Sequence, residues 1–224
     1  FATNMITGAL SAGTSVINGV KQLFDYGSSS SGYSGGLPSG IDIENGEIGS
    51  VSGYYESGNK STTVGCDKNG GTSYGKHQFS SKQGSVKEFL EFVKGKSKRG
   101  KEFYDAMYSA VGGDWSKLNT GSTSGAPVSV WKKYMTDPEL QKYEYEFNLN
   151  KKYYPAFNRL PNEVKQIVSG SRALQEALFS TVVQHGPGKP GSSGEGAIPI
   201  FTKSYRSGMT PEEYLNAIYE ERKT

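Results

Sequence analysis

Glu56 and Asp67 stand on either side of a glycine-rich turn, in the stretches Tyr55-Glu56-Ser57-Gly58, Gly65-Cys66-Asp67 and Thr72-Ser73-Tyr74-Gly75-Lys76-His77-Gln78. Cleavage of a glycosidic bond needs one carboxylic acid and commonly uses a second carboxylate across the sugar ring. One protonates the leaving oxygen, while the other activates water or steadies the positive charge. Glu56 falls where a helix is expected to end, and the negative end of a helix dipole favours the protonated form, which suits the acid. Asp67 would then be the ionised partner, its environment pushing its pKa away from that of Glu56.

The surrounding residue types fit a sugar-handling surface but also have structural readings. Thr72, Ser73 and Tyr74 could bind a water or sugar hydroxyls, and β-branched and aromatic residues are equally ordinary strand formers. Gln78 could bind an N-acetyl group or brace its own hairpin. Tyr54, Tyr55 and Tyr74 could stack on sugar rings. Gln184 and His185 close an apolar helix, where a polar interior network and a role in a cleft are both open. Cys66 with His77 raises thiol chemistry, although a nucleophilic cysteine needs a helix N-terminus or a close histidine to lower its pKa. With two histidines and no His-x-x-x-His spacing, no metal site and no cofactor are expected.

The elements that must hold these residues follow from periodicity. Residues 3–24 read as a glycine-weakened helix, and Gly27 to Gly36 as a flexible linker. The expected division is 1–36, a helix and linker from a neighbouring module, and 37–224, the functional domain. A helix is expected over Glu44–Ser57 and a hairpin over 60–80, turning at Asn69-Gly70-Gly71. Beyond residue 80 the chain turns helical. Val86, Phe89, Leu90 and Val93 mark one helix, and Phe103, Met107, Tyr108 and Val111 another that ends at Gly112-Gly113. Val128 to Met135 follows a loop. Asp137-Pro138 opens a helix that Pro155 should stop, Ser171 to His185 reads as the central helix, and Thr210-Pro211-Glu212-Glu213 is a capping box. The fold class expected is α+β, mostly α-helical, with a small β-hairpin lining a cleft.

Composition narrows the partners. A chain of 224 residues carrying a net charge of +3 can build one substantial core and shows no strong bias to polyanions. Its one concentration of positive charge is Lys94, Lys96, Lys98, Arg99 and Lys101, which could attract an anionic cell wall. Zinc-finger spacing, RNP-type strands and basic heptads are missing, so nucleic acid is not the expected partner. A single cysteine excludes an internal disulfide framework, and no apolar run reaches membrane-spanning length.

Several of these motifs together resemble the lysozyme-like superfamily. Serine after the glutamate (Glu56-Ser57) and the Gly75-x-x-Gln78 arrangement are similar to lytic transglycosylases and goose-type lysozymes, with Lys76-His77 replacing the usual Leu-Met. Asp67-Lys68-Asn69-Gly70-Gly71-Thr72-Ser73-Tyr74 resembles the hairpin of phage-type lysozymes and chitosanases. Together with Gln78-Phe79-Ser80-Ser81 and Ser180-Thr181-Val182-Val183-Gln184-His185-Gly186, these motifs look most like lysozyme-like domains embedded in phage tail proteins, over about residues 45 to 205. The resemblance implies a muramidase acting on the β-1,4 glycan strands of peptidoglycan. Glu56 and Asp67 would be catalytic, with Tyr55, Thr72, Ser73, Tyr74, Gln78, Gln184 and His185 binding substrate. A transglycosylase using Glu56 alone, a Cys66-dependent amidase or endopeptidase, and a non-catalytic wall-binding module are the alternatives. It further implies a larger tail or wall-penetrating polypeptide, located on a virion tail or outside the cell at the wall.

Overall fold

The computed structural model describes residues 47–68, 70–190 and 196–222. The helix and linker expected over 1–36 lie outside them. The described elements run α1 (Ser50–Ser57), β1 (Val64–Asp67), β2 (Gly71–Tyr74), β3 (Phe79–Ser80), α2 (Ser85–Lys94), α3 (Lys98–Ala110), a 3-10 turn (Trp115–Leu118), α4 (Ala126–Tyr134) and α5 (Pro138–Asn148). A π-helical turn (Leu149–Tyr153) leads into α6 (Tyr154–Phe157), α7 (Asn162–Ser169), α8 (Arg172–His185), α9 (Ala197–Ser204) and α10 (Pro211–Arg222). The fold is α+β and mostly helical, as expected, and its one described sheet has three antiparallel strands in the order β1-β2-β3.

The chain divides into two compact units, one formed by residues up to 55 together with 149 onward, the other by 56–148. The 56–148 unit holds the sheet. Its core gathers Val86, Phe89, Leu90 and Val93 of α2 with Phe103, Met107, Trp131 and Phe147. In α2 these apolar residues recur at the i, i+3, i+4, i+7 spacing that puts them on one helix face, and all four are buried. β1 and β2 pair with Val64 opposite Tyr74 and Asp67 opposite Gly71, so the expected hairpin pairing forms.

The other unit is organised on α8, where Ala173, Leu174 and every residue from Glu176 to Val182 are buried. Ser171 caps α8 by accepting from the Leu174 amide at 3.4 Å. The capping box of α10 forms as the sequence implies. Glu213 Oε2 accepts from the Thr210 amide at 2.8 Å, and Thr210 Oγ1 accepts from the Glu213 amide at 3.2 Å.

One expectation about helix boundaries is corrected. Pro155 does not stop a helix; it occupies the first turn of α6, where its missing N–H costs nothing. The preceding helix instead ends at Asn148 and loosens into the π turn. α7 and α9 carry no strong signal in the sequence, because each has only eight residues and Pro199 sits inside α9.

Candidate functional site

Strand β2 carries three of the expected site residues, and the structure gives each a local partner. Tyr74 is wholly buried. Its hydroxyl donates to the Leu118 carbonyl at 2.7 Å, and its ring packs 5.2 Å from that of Trp131. Burial pushes the phenol far above its ordinary pKa. Tyr74 is therefore a core residue and offers no face to a sugar. Thr72 is buried too, its amide donating to Asn119 Oδ1 at 3.1 Å and its hydroxyl donating to the Ser122 carbonyl at 3.2 Å. This ties the 119–122 loop to the sheet.

Ser73 and Gln78 form a hydrogen-bonded polar cluster in the 56–148 unit. Ser73 Oγ donates to Gln78 Oε1 at 2.7 Å, and Gln78 Nε2 donates to the Gly75 carbonyl at 2.8 Å. Gln78 thus closes the turn Gly75-Lys76-His77-Gln78 with its own side chain. Two further groups fix the middle of that turn. Glu144 Oε1, buried on α5, accepts from the Lys76 amide at 2.6 Å, and Ser57 Oγ donates to the Lys76 carbonyl at 2.8 Å. Gly75 has a φ of 87°, and a Cβ there would overlap Glu144 Oε1. The backbone of 75–78 is consequently specified from three sides.

Glu56 lies one residue before the end of α1 and Asp67 is the last residue of β1. The roles expected of the Tyr55, Glu56 and Asp67 side chains fall outside what is described. Gln184 and His185 end α8 in the other unit, where Gln184 Oε1 accepts from Arg222 Nη2. That guanidinium also donates to Ser180 Oγ at 3.4 Å and sits over the Tyr219 ring. Cys66 is an exposed free thiol on β1, whereas His77 is buried in the turn.

The expected positive patch is largely neutralised. Lys96 pairs with Glu146, Lys101 with Asp105 at 2.5 Å, and Lys94 lies 3.8 Å from Glu91. Arg99 bonds Asp137 at 2.7 Å and Glu102 at 3.2 Å, and its hydrogen bond holds the Asp137 carboxyl below the usual range. Four of the five cations therefore have acidic neighbours, which removes most of the field their clustering implied.

Sequence reasoning passed over two buried carboxylates, one in each unit. Besides Glu144, the buried Glu176 of α8 accepts from the Gly49 amide at 2.8 Å and the Val51 amide at 3.4 Å, capping α1. Arg172 Nη2 donates to it at 3.1 Å. The available signal was a lone glutamate within the most apolar helix, since such a residue is rarely buried without a task. Among the described residues no cluster of three His, Cys, Asp or Glu side chains could hold a metal ion, and no helix is long and apolar enough to cross a membrane.

The fold is mostly helical α+β, with the small sheet and its braced turn in the 56–148 unit. Over residues 48–224 the chain matches the family model described as type VI secretion system spike protein VgrG3-like, C-terminal, and it belongs to that family. No curated protein matches it. Membership makes the chain part of a larger secretion-apparatus polypeptide, a placement shared in outline with the tail-type assembly expected from sequence.

The same match corrects the lysozyme-like resemblance. The family is one of spike proteins, and with it fall the assignment as a muramidase or other glycoside hydrolase and the bacteriolytic role. The physical reason lies in the motifs themselves. Tyr74 fills a core, Gln78 stitches its own turn and Gly75 is demanded by backbone geometry, so their spacing follows from the turn's construction.

Proposed function

We propose that this chain is the outer, delivered end of a secretion spike and that, once outside the secreting cell, it grips the glycan strands of a bacterial cell wall. The observation that carries the spike placement is the family match, which begins at residue 48 and takes in nearly all of the described chain. The braced turn at 75–78 supports the glycan contact. A surface that must hold a stiff polysaccharide gains affinity when its backbone is fixed beforehand, because less conformational freedom is lost on binding.

On this reading Glu56 and Asp67 contribute hydrogen-bonding contacts to glycan. The test is co-sedimentation of the full chain with purified peptidoglycan sacculi. Wild type should pellet with the sacculi, and a Glu56→Gln, Asp67→Asn double variant should pellet at least fivefold less. A chain that stays in the supernatant at every sacculus concentration sinks the reading.

A further inference from the structure

The C-terminal end of α3 carries an aromatic cluster at the edge of the core, with Tyr104 and Trp115 packed against it. Tyr104 and Tyr108 lie four residues apart on one helix face, their rings 6.3 Å apart and within 13° of parallel. The chain then reverses through Gly112 and Gly113, at φ values of 62° and 80°, and brings Trp115 back to 5.2 Å from Tyr108 and 5.3 Å from Tyr104. Asp114 fixes this return, its Oδ1 accepting from the Ser116 amide at 3.0 Å and the Ser116 hydroxyl at 2.7 Å. The three rings are therefore set in place before any partner arrives. Even so Tyr108 remains 44% exposed, one of two large hydrophobic side chains so exposed among the described residues.

We propose that Tyr104, Tyr108 and Trp115 form a stacking platform for the pyranose rings of an uncharged, N-acetylated glycan chain. The proposal rests on the wall-gripping reading and gives it a second, separate surface. A pyranose ring has C–H groups on its faces and hydroxyls around its edge, which suits an aromatic face bordered by polar groups. Polar groups are present: Glu91 accepts from the Tyr104 hydroxyl at 2.8 Å, and the Lys94 ammonium stands 4.1 Å over one face of the Tyr104 ring, which leaves Tyr108 as the most exposed ring of the three.

Charge and size argue against other occupants. Glu91 is offset by Lys94, Asp105 by Lys101, and Asp114 has Lys117 nearby, so the border has no excess of either sign to attract a polyanion. A stable protein partner buries roughly 800 Å² on each side, far more than three partly covered rings supply. An apolar face with a hydrogen-bonding, electrically balanced edge remains, and an uncharged saccharide complements both.

Trp115 is a built-in reporter, because the chain's other tryptophan, Trp131, is wholly buried. Titrating the full chain with N-acetylglucosamine tetramer should shift its tryptophan emission saturably. Tyr108→Ala should weaken the apparent affinity at least tenfold, while Tyr108→Phe, which keeps the ring, should change it less than threefold. Calorimetry on Trp115→Phe supplies the affinity once the reporter is gone. Unchanged affinity in Tyr108→Ala overturns the platform. If that variant also still pellets with sacculi, the wall-gripping reading survives its loss; if wild type binds neither tetramer nor sacculi, both fall together.

Discussion

At the residue scale, Gln78 and Gly75 show how a motif can be legible while its meaning is not. The sequence marks both as unusual, and both are. Gln78 makes two side-chain hydrogen bonds within its own turn, and Gly75 combines a left-handed backbone with a Glu144 carboxylate against its Cα. Nothing in the spacing reveals that these demands come from the turn. Nor could it reveal that Tyr74 points into a cluster of aromatic rings, since a strand's two faces differ only in what later folds against them. Gly75→Ala should therefore cost at least about 2 kcal/mol of stability, from the strained φ and the clash together. Gln78→Ala should cost about 1 to 2 kcal/mol by leaving Ser73 and the Gly75 carbonyl short of partners. Urea unfolding followed by circular dichroism reads both; a loss under 0.5 kcal/mol for Gly75→Ala, about the scatter of surface substitutions, would contradict the bracing described for the turn.

At the element scale, most helices of the 56–148 unit were readable because their apolar residues follow a helical period and their ends carry ordinary stop signals. α1 was harder. Its N-terminus is capped by Glu176, 127 residues away from Gly49, and no local pattern encodes such a partner. Burial pushes the Glu176 carboxyl above the ordinary glutamate range, while Arg172 and the amides of Gly49, Val51 and Ser50 pull it back. The folded protein thus holds this proton more tightly than the unfolded chain. Its contribution to stability is fully present below the ordinary glutamate pKa of about 4.3 and declines as pH rises through the raised value. Glu176→Gln keeps the shape but cannot titrate, so its stability should lose this slope above pH 4.3, the ordinary glutamate value. Glu176→Ala should cost about 2 to 4 kcal/mol, because it strands two backbone donors and the Arg172 guanidinium. Melting curves collected from pH 4 to 8 check both variants, and identical pH slopes for wild type and Glu176→Gln would remove Glu176 as their source.

For the whole molecule, the α+β class and the predominance of helix were legible from periodicity, whereas the division into units was not. A boundary at 55/56 falls inside a helix and leaves no change of composition to read. The near-neutral surface also has a measurable outcome. With Lys94, Lys96, Arg99 and Lys101 all beside carboxylates, binding to sacculi should vary less than threefold between 50 and 300 mM salt, a range over which unpaired surface charge is progressively screened. A tenfold loss of pelleting over that range would show that charge governs the contact.

The order in which the two units leave the ribosome follows from their placement along the chain. Residues 56–148 are contiguous and emerge with every residue of their core, from Tyr74 to Phe147, already made. The other unit cannot close until α8 and α10 exist, since its core depends on Leu174, Leu178, Tyr214 and Ile218. At a synthesis rate of about 5 to 20 residues per second, the first unit has a lead of several seconds. During that interval the growing polypeptide carries one finished unit and a segment, Gly49 to Tyr55, whose carboxylate cap has yet to be translated.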